Sequence, residues 1–259
     1  MTSITIAQIV GLGIMGLLVG SFLNVCIYRL PRDLSVSFPA SHCPSCERPL
    51  RWYHNVPVVS WLVLGGRCGF CRERIHWRYP LVEILNAALW AVHPVLFPWE
   101  PLLFVRLAFA SALLVLFFTD LDCRILPNEI TVGGTVVGLI TSALVFPPGF
   151  QSALIGVLLG GGVLWATGEA YERLRGVEGM GMGDVKMLAM IGAVLGWPLM
   201  LLTLVASSIT GGLIGALLLA FKADARTTAL PFGSFLAPAA LAASLVGQPV
   251  LDWYLGFYR

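Results

Sequence analysis

Long apolar runs separated by short polar breaks make up most of the chain. Runs at about 5–28, 80–97, 102–119, 129–147, 152–170, 185–197, 199–221 and 231–248 predict eight membrane-spanning helices, since roughly 20 apolar helical residues cross a bilayer. The sixth run is short and ends at Gly196-Trp197-Pro198, which predicts a tilted or re-entrant span, or one continuous with the seventh. One sizeable polar segment breaks the pattern. The organisation that follows is a first transmembrane helix (1–30), a polar insert (31–79) and a membrane domain (80–259), in an all-α polytopic architecture.

Composition agrees: 58% of residues are hydrophobic and 12% charged, which excludes an ordinary soluble domain. The net charge of +2 says little, but the placement of the charges says more. With the N-terminus outside, all of the 16 basic residues except Arg106 and Arg259 fall on the cytosolic side. The first run lacks a basic leader and is followed at once by Arg29 and Arg32, the pattern of a retained anchor and not a cleaved signal.

The insert carries Cys43-Pro-Ser-Cys46 and Cys68-Gly-Phe-Cys71, close to zinc-ribbon spacing. Each C-x-x-C turn can offer two thiolates to one ion, and four close a tetrahedral site. A segment this small buries too little apolar surface to fold alone, so a structural Zn2+ has an obvious use. Redox-active dithiols and disulfides are the alternatives; a cytosolic position disfavours the disulfides. Gly65, Gly66 and Gly69 are expected to let the knuckles turn. Cys26 reads as a small core residue and His42 as a surface residue.

Carboxylates at membrane depth are costly, so they are candidate functional groups. Asp120 and Asp122 close the third run, and Asp184 opens the sixth within Gly179-Met180-Gly181-Met182-Gly183-Asp184-Val185-Lys186. On the charge map all three share the cytosolic edge. Two carboxylates that share a proton can activate water against a peptide bond. From the residues alone, Asp120 and Asp122 both remain open for the first position. No Ser-His-Asp set lies in the spans and no H-E-x-x-H is present, so a bound zinc does not read as hydrolytic; no dinucleotide fingerprint is present either. A transporter using intramembrane acids beside a zinc-stapled loop is the competing class.

Gly20-Ser21-Phe22-Leu23-Asn24-Val25-Cys26-Ile27-Tyr28-Arg29-Leu30-Pro31, the two cysteine pairs, Arg78-Tyr79-Pro80-Leu81-Val82-Glu83, the Asp120 segment and Gly181-Met182-Gly183-Asp184 occur here in series. In that order they resemble the prepilin peptidases, or type IV leader peptidases, along essentially the whole chain. The resemblance implies an intramembrane aspartic endopeptidase of the G-x-G-D class. Such an enzyme cleaves the leader of type IV prepilins and type II secretion pseudopilins after a glycine, at the cytosolic face of a bacterial inner membrane. Its partners are those substrates and the bilayer, with no nucleic acid.

The resemblance also implies S-adenosylmethionine-dependent N-methylation of the new N-terminal residue. It selects Asp120 over Asp122 as partner of Asp184, makes Gly181, Gly183 and Lys186 supporting residues, and gives Asn24, Arg29 and Glu83 a possible part in methylation. For Glu83 the plainer reading is a pair with Arg78 or a reach to the interface. One departure is Leu126-Pro127-Asn128, where the family commonly has Leu-Pro-Asp; Asn128 then reads as the cap of the fourth span. Helix dipoles add an expectation: Asp184, opening a helix, is the ionised base and Asp120, closing one, the acid. Lys186 would reinforce the charge on Asp184 by folding back.

Overall fold

The computed structural model describes residues 5–144, 147–176, 181–221 and 231–257. Gly179, Met180, Lys222, Arg226 and Arg259 lie outside them. The described residues form α1 (Ile6–Arg29), α2 (Val59–Val63), α3 (Arg78–Leu96), α4 (Pro101–Cys123), α5 (Asn128–Ala143), α6 (Phe150–Arg175), α7 (Met182–Phe221) and α8 (Gly233–Gly256). No strand is present among them, only two isolated bridges in the insert. Among the described residues, six helices are long and apolar enough to cross a membrane. The chain is a multi-pass membrane protein.

Two of the predicted spans need comment. The fourth, α5, has 16 residues and stops at Ala143, short of the predicted 147. The sixth and seventh meet in α7 as two helices that join at a kink, where Gly196 has a non-helical backbone (φ 79°, ψ 168°). A Cβ at Gly196 would stand 2.6 Å from Ser152 Oγ and 2.7 Å from Pro148 Cβ, so the kink needs glycine for both conformation and space. Pro198 follows two residues on, in the first turn of the second helix, where its missing N–H costs no helix hydrogen bond.

The chain divides into two compact units, 1–115 and 116–259, with the division falling inside α4. In the first unit α1 packs along α3. The approach is close because a Cβ at Gly20 would lie 2.7 Å from Glu83 Cα, and one at Gly16 2.8 Å from Ala87 Cα. Small residues are how apolar helices gain contact when lipid supplies no hydrophobic drive between them. Polar side chains then close the gap. Asn86 donates to Gly16 O (2.7 Å) and accepts from Ser111 Oγ (2.8 Å), which in turn accepts from Trp90 Nε1 (3.0 Å). Thr5 and Gln8 form a capping box at the start of α1.

The second unit is built on α6 against α7, with α5 and α8 also packed on α7. The tightest point is Gly156 against Gly192, where a Cβ on either would come within about 2.5 Å of the other's backbone. In the Gly160-Gly161-Gly162 run of α6, Gly160 (2.9 Å to Leu188 O) and Gly161 (3.6 Å to Ala189 Cβ) meet α7, and a Cβ at Gly162 would meet nothing within 4 Å. Outward positions such as Val10, Ile14, Leu213 and Leu217 stay exposed and apolar, as a lipid-facing surface requires.

Candidate active site and metal centre

Asp120 lies in the last turn of α4, still inside the helix, and is 4% exposed. A carboxylate this buried needs donors, and they come from the N-terminus of α8. Ser234 gives its backbone N–H (2.6 Å) and its hydroxyl (2.9 Å) to Asp120 Oδ2. Asp184 sits in the first turn of α7, half-buried, within electrostatic reach of Asp120 and hydrogen-bonded by the Gly233 backbone. Three chain segments far apart in sequence thus converge on one pair of carboxylates. Asp122, two residues on and nearly on the opposite side of the helix, is exposed.

Leu126 fills the space between these helix ends. A Cβ added to Gly183 would lie 3.1 Å from Leu126 Cβ, and one added to Gly233 would lie 3.0 Å from Asp120 Cγ and 3.1 Å from Leu126 Cδ1. Both glycines are therefore needed for close approach. Gly181 is different. Its Cβ would meet Asp184 Oδ2 at an ordinary 3.7 Å, and its contribution is the carbonyl that accepts from Asp184 N–H (3.1 Å).

Two readings of supporting residues change. Lys186 does not fold back toward Asp184. Its Nζ donates to Asn128 Oδ1 at 2.8 Å, because two residues along a helix turn a side chain to another face. Asn128 begins α5 as expected but does not cap it: Pro127 occupies the cap position, with no side-chain cap bond, and the Asn128 amide oxygen is used by Lys186. The two donors from Ser234 on Asp120 Oδ2 act against the dipole of α4, which favours a protonated Asp120. Gly233 and Ser234 were missed in the sequence. The available signal was Pro231-Phe232-Gly233-Ser234 just ahead of an apolar run, a helix start with free N–H groups.

In the insert, the four cysteine sulfurs lie within 4.8 Å of one another. Tetrahedral Zn–S bonds of about 2.3 Å place sulfurs about 3.8 Å apart, and Cys43 Sγ to Cys71 Sγ is 3.8 Å. The donor set fits one metal ion. Each knuckle is closed by backbone bonds, Glu47 N–H to Cys43 O (2.8 Å) and Arg72 N–H to Cys68 O (3.1 Å). Gly65 (φ 61°) and Gly66 (φ 66°) take left-handed turns ahead of the second knuckle, as expected, while within the knuckles Glu47 (φ 56°) and Arg72 (φ 63°) do so and Gly69 does not. Gly69 serves by close approach: its Cβ would stand 3.1 Å from His54 Nε2. Backbone N–H groups of Cys71 and Phe70 hold the Cys68 thiol down to about 7, favouring the thiolate a metal requires. Cys26 is buried and His42 exposed, both as expected.

The remaining candidates cluster around the insert's junction with α1 and α3. Glu83 is buried and accepts from Val58 N–H (2.7 Å) and from Ser21. Asn24 Nδ2 donates to Tyr79 O (3.1 Å), tying α1 to the start of α3. Arg29 is buried, and its guanidinium holds Ser35 O (2.8 Å) and Pro39 O (2.7 Å). These bonds tie the end of α1 to the start of the insert.

Residues 14–97 match the bacterial peptidase A24 N-terminal domain and residues 107–216 the type IV leader peptidase family. Among similar proteins, one from Pseudomonas putida is 38% identical, over 92% of this chain and 90% of its own length. One from Aeromonas hydrophila is 37% identical over 93% and 92%, and one from Stutzerimonas stutzeri 34% over 95% and 93%. All three are named prepilin leader peptidase/N-methyltransferase. No solved structure matches the chain. With both family regions in order and similarity spanning nearly its whole length, the chain belongs to the type IV leader peptidase family.

Proposed function

We propose that the protein is a bifunctional membrane enzyme: an aspartic endopeptidase that removes the leader of type IV prepilins and type II secretion pseudopilins, and an N-methyltransferase acting on the new N-terminus. The observation that carries the peptidase half is the pair Asp120 and Asp184, brought to one helix end at α8. Ionised Asp120 takes a proton from water as the water oxygen attacks the scissile carbonyl. Asp184, less buried and holding the shared proton, gives it to the departing amine. Gly183 and Gly233 keep the carboxylates close, and Lys186 with Asn128 ties α7 to α5 behind them.

The active site lies at the cytosolic face of a bacterial inner membrane, with the N-terminus outside, as the basic residues indicate. There the substrate's peptide bond emerges just ahead of its apolar helix. Zn2+ held by Cys43, Cys46, Cys68 and Cys71 is structural and shapes the insert of 31–79, which together with α1 serves the methylation half. S-adenosylmethionine, when bound, supplies an electrophilic methyl group. Similarity to leader peptidase/N-methyltransferases over nearly the full chain favours this reading over a transporter.

Co-expression with a prepilin, followed by mass spectrometry of the pilin, tests both halves, because leader loss and methyl gain are separate mass changes. Asp120→Asn and Asp184→Asn are each expected to abolish leader loss. Cleavage that survives either change refutes the aspartate assignment.

A further inference from the structure

Within the first unit, the insert carries an apolar surface that its own fold leaves bare. Ser60, Trp61 and Leu64 of α2 face the interior of the insert, where Trp61 Nε1 donates to Ile75 O (3.2 Å). The opposite face of α2 holds Val59, Leu62 and Val63, which are 55, 63 and 79% exposed. Positions i, i+3 and i+4 lie side by side on a helix, so the three form one stripe. An apolar stripe turned outward from an otherwise polar segment marks an interaction surface.

A hydrogen bond sets the level of this stripe. Val58 N–H, at the start of α2, donates to Glu83 Oε2 (2.7 Å). Glu83 stands five residues past Arg78, the first residue of α3, or about 7.5 Å along the helix axis. A helical side chain leans back toward the N-terminus, so α2 begins beside the first turns of α3 and not above its end. Tyr28, Trp77 and Tyr79 stand exposed at the same ends of α1 and α3. Tyr and Trp gather at the headgroup level of a bilayer. The stripe therefore lies at the boundary between headgroups and acyl chains.

Charge points to the same partner. Beyond the Gly65-Gly66 turn that follows α2, Arg67 and Arg74 face each other across an antiparallel bridge, both exposed. Like charges directly opposite destabilise such a pair, and an anionic surface over them removes the repulsion. A membrane leaflet with anionic lipids offers both an apolar layer for the stripe and phosphates for the arginines.

We propose that the insert is docked on the bilayer, with Val59, Leu62 and Val63 set into the leaflet and Arg67 and Arg74 on its anionic headgroups. The insert is then an interfacial module, held by lipid as well as by its connections to α1 and α3. This docking is independent of either half of the proposed function.

Full-length, zinc-loaded protein with a fluorescent amino acid at position 63, reconstituted in nanodiscs, tests the proposal. Lipids brominated high on the acyl chain are expected to quench most of the emission, and aqueous iodide little of it. Quenching by iodide and not by bromolipid puts the stripe in water and overturns the proposal. Resistance to both quenchers shows that protein covers the stripe, a second copy or another segment, and overturns it as well.

The charge half is read by exchanging phosphatidylcholine for phosphatidylglycerol, which is expected to increase bromolipid quenching. Arg67→Gln with Arg74→Gln should lose that increase at unchanged zinc content, and Arg67→Lys with Arg74→Lys should keep it. An increase absent from the wild type, or one that survives the glutamine changes, overturns the headgroup contact. The wild-type comparison of the two lipids needs no variant, so it decides the question even if the glutamine pair unsettles the insert.

Discussion

Ser234→Ala probes the active-site geometry most directly. The change removes the hydroxyl that donates to Asp120 Oδ2 at 2.9 Å and leaves the backbone donor at 2.6 Å in place. Asp120 is 4% exposed, so water cannot readily replace the lost bond. A hydrogen bond to a charged group is worth about 1.5–3 kcal/mol. At about 1.4 kcal/mol per factor of ten, leader cleavage should fall roughly 10- to 100-fold in kcat, with KM little changed. Ser234→Thr retains the hydroxyl and should recover most of the rate. The assay is single-turnover cleavage of a purified prepilin in detergent or nanodiscs. Wild-type kcat in Ser234→Ala, or no recovery in Ser234→Thr, would refute the reasoning that the α8 donors hold Asp120 in its working state.

Carboxyl infrared spectroscopy of Asp184→Asn should find Asp120 ionised at neutral pH; a protonated carboxyl band assignable to Asp120 would reverse the roles. Gly192→Ala should destabilise the protein by at least the roughly 1–3 kcal/mol of ordinary overpacking, because its Cβ would collide with the Gly156 backbone. A thermal unfolding midpoint equal to wild type would contradict that helix contact. Metal analysis should find one zinc per chain, lost in Cys43→Ser together with protease resistance of the insert; a full complement of zinc in that variant would dismiss the four-thiolate site. Asn128→Asp should be tolerated, since a carboxylate can accept from Lys186 as the amide does. Loss of more than about tenfold in cleavage would show that a neutral partner is required.

Much of the architecture was legible because a bilayer imposes length and apolarity on each span. The starts of α1, α3, α4, α5 and α8 fall within two residues of those expected. How the sixth run joins the seventh at Gly196 was open in the sequence, because glycine and proline end a helix in one setting and merely kink it in another. The four-cysteine cluster was equally legible, since C-x-x-C spacing is itself the geometry of a metal knuckle.

The chemistry divides differently. The sequence by itself identified the residue types and motifs, including Asp120, Asp184 and Glu83, because carboxylates near membrane depth are rare without a use. Only the tertiary structure decided their neighbours. Ser234 lies 114 residues from Asp120, Val58 lies 25 from Glu83, and Asn128 lies 58 from Lys186. No local pattern encodes such pairings. Hydrogen bonds act over about 3 Å in space with no regard for distance along the chain, so which donor serves which carboxylate is set by how the helices pack.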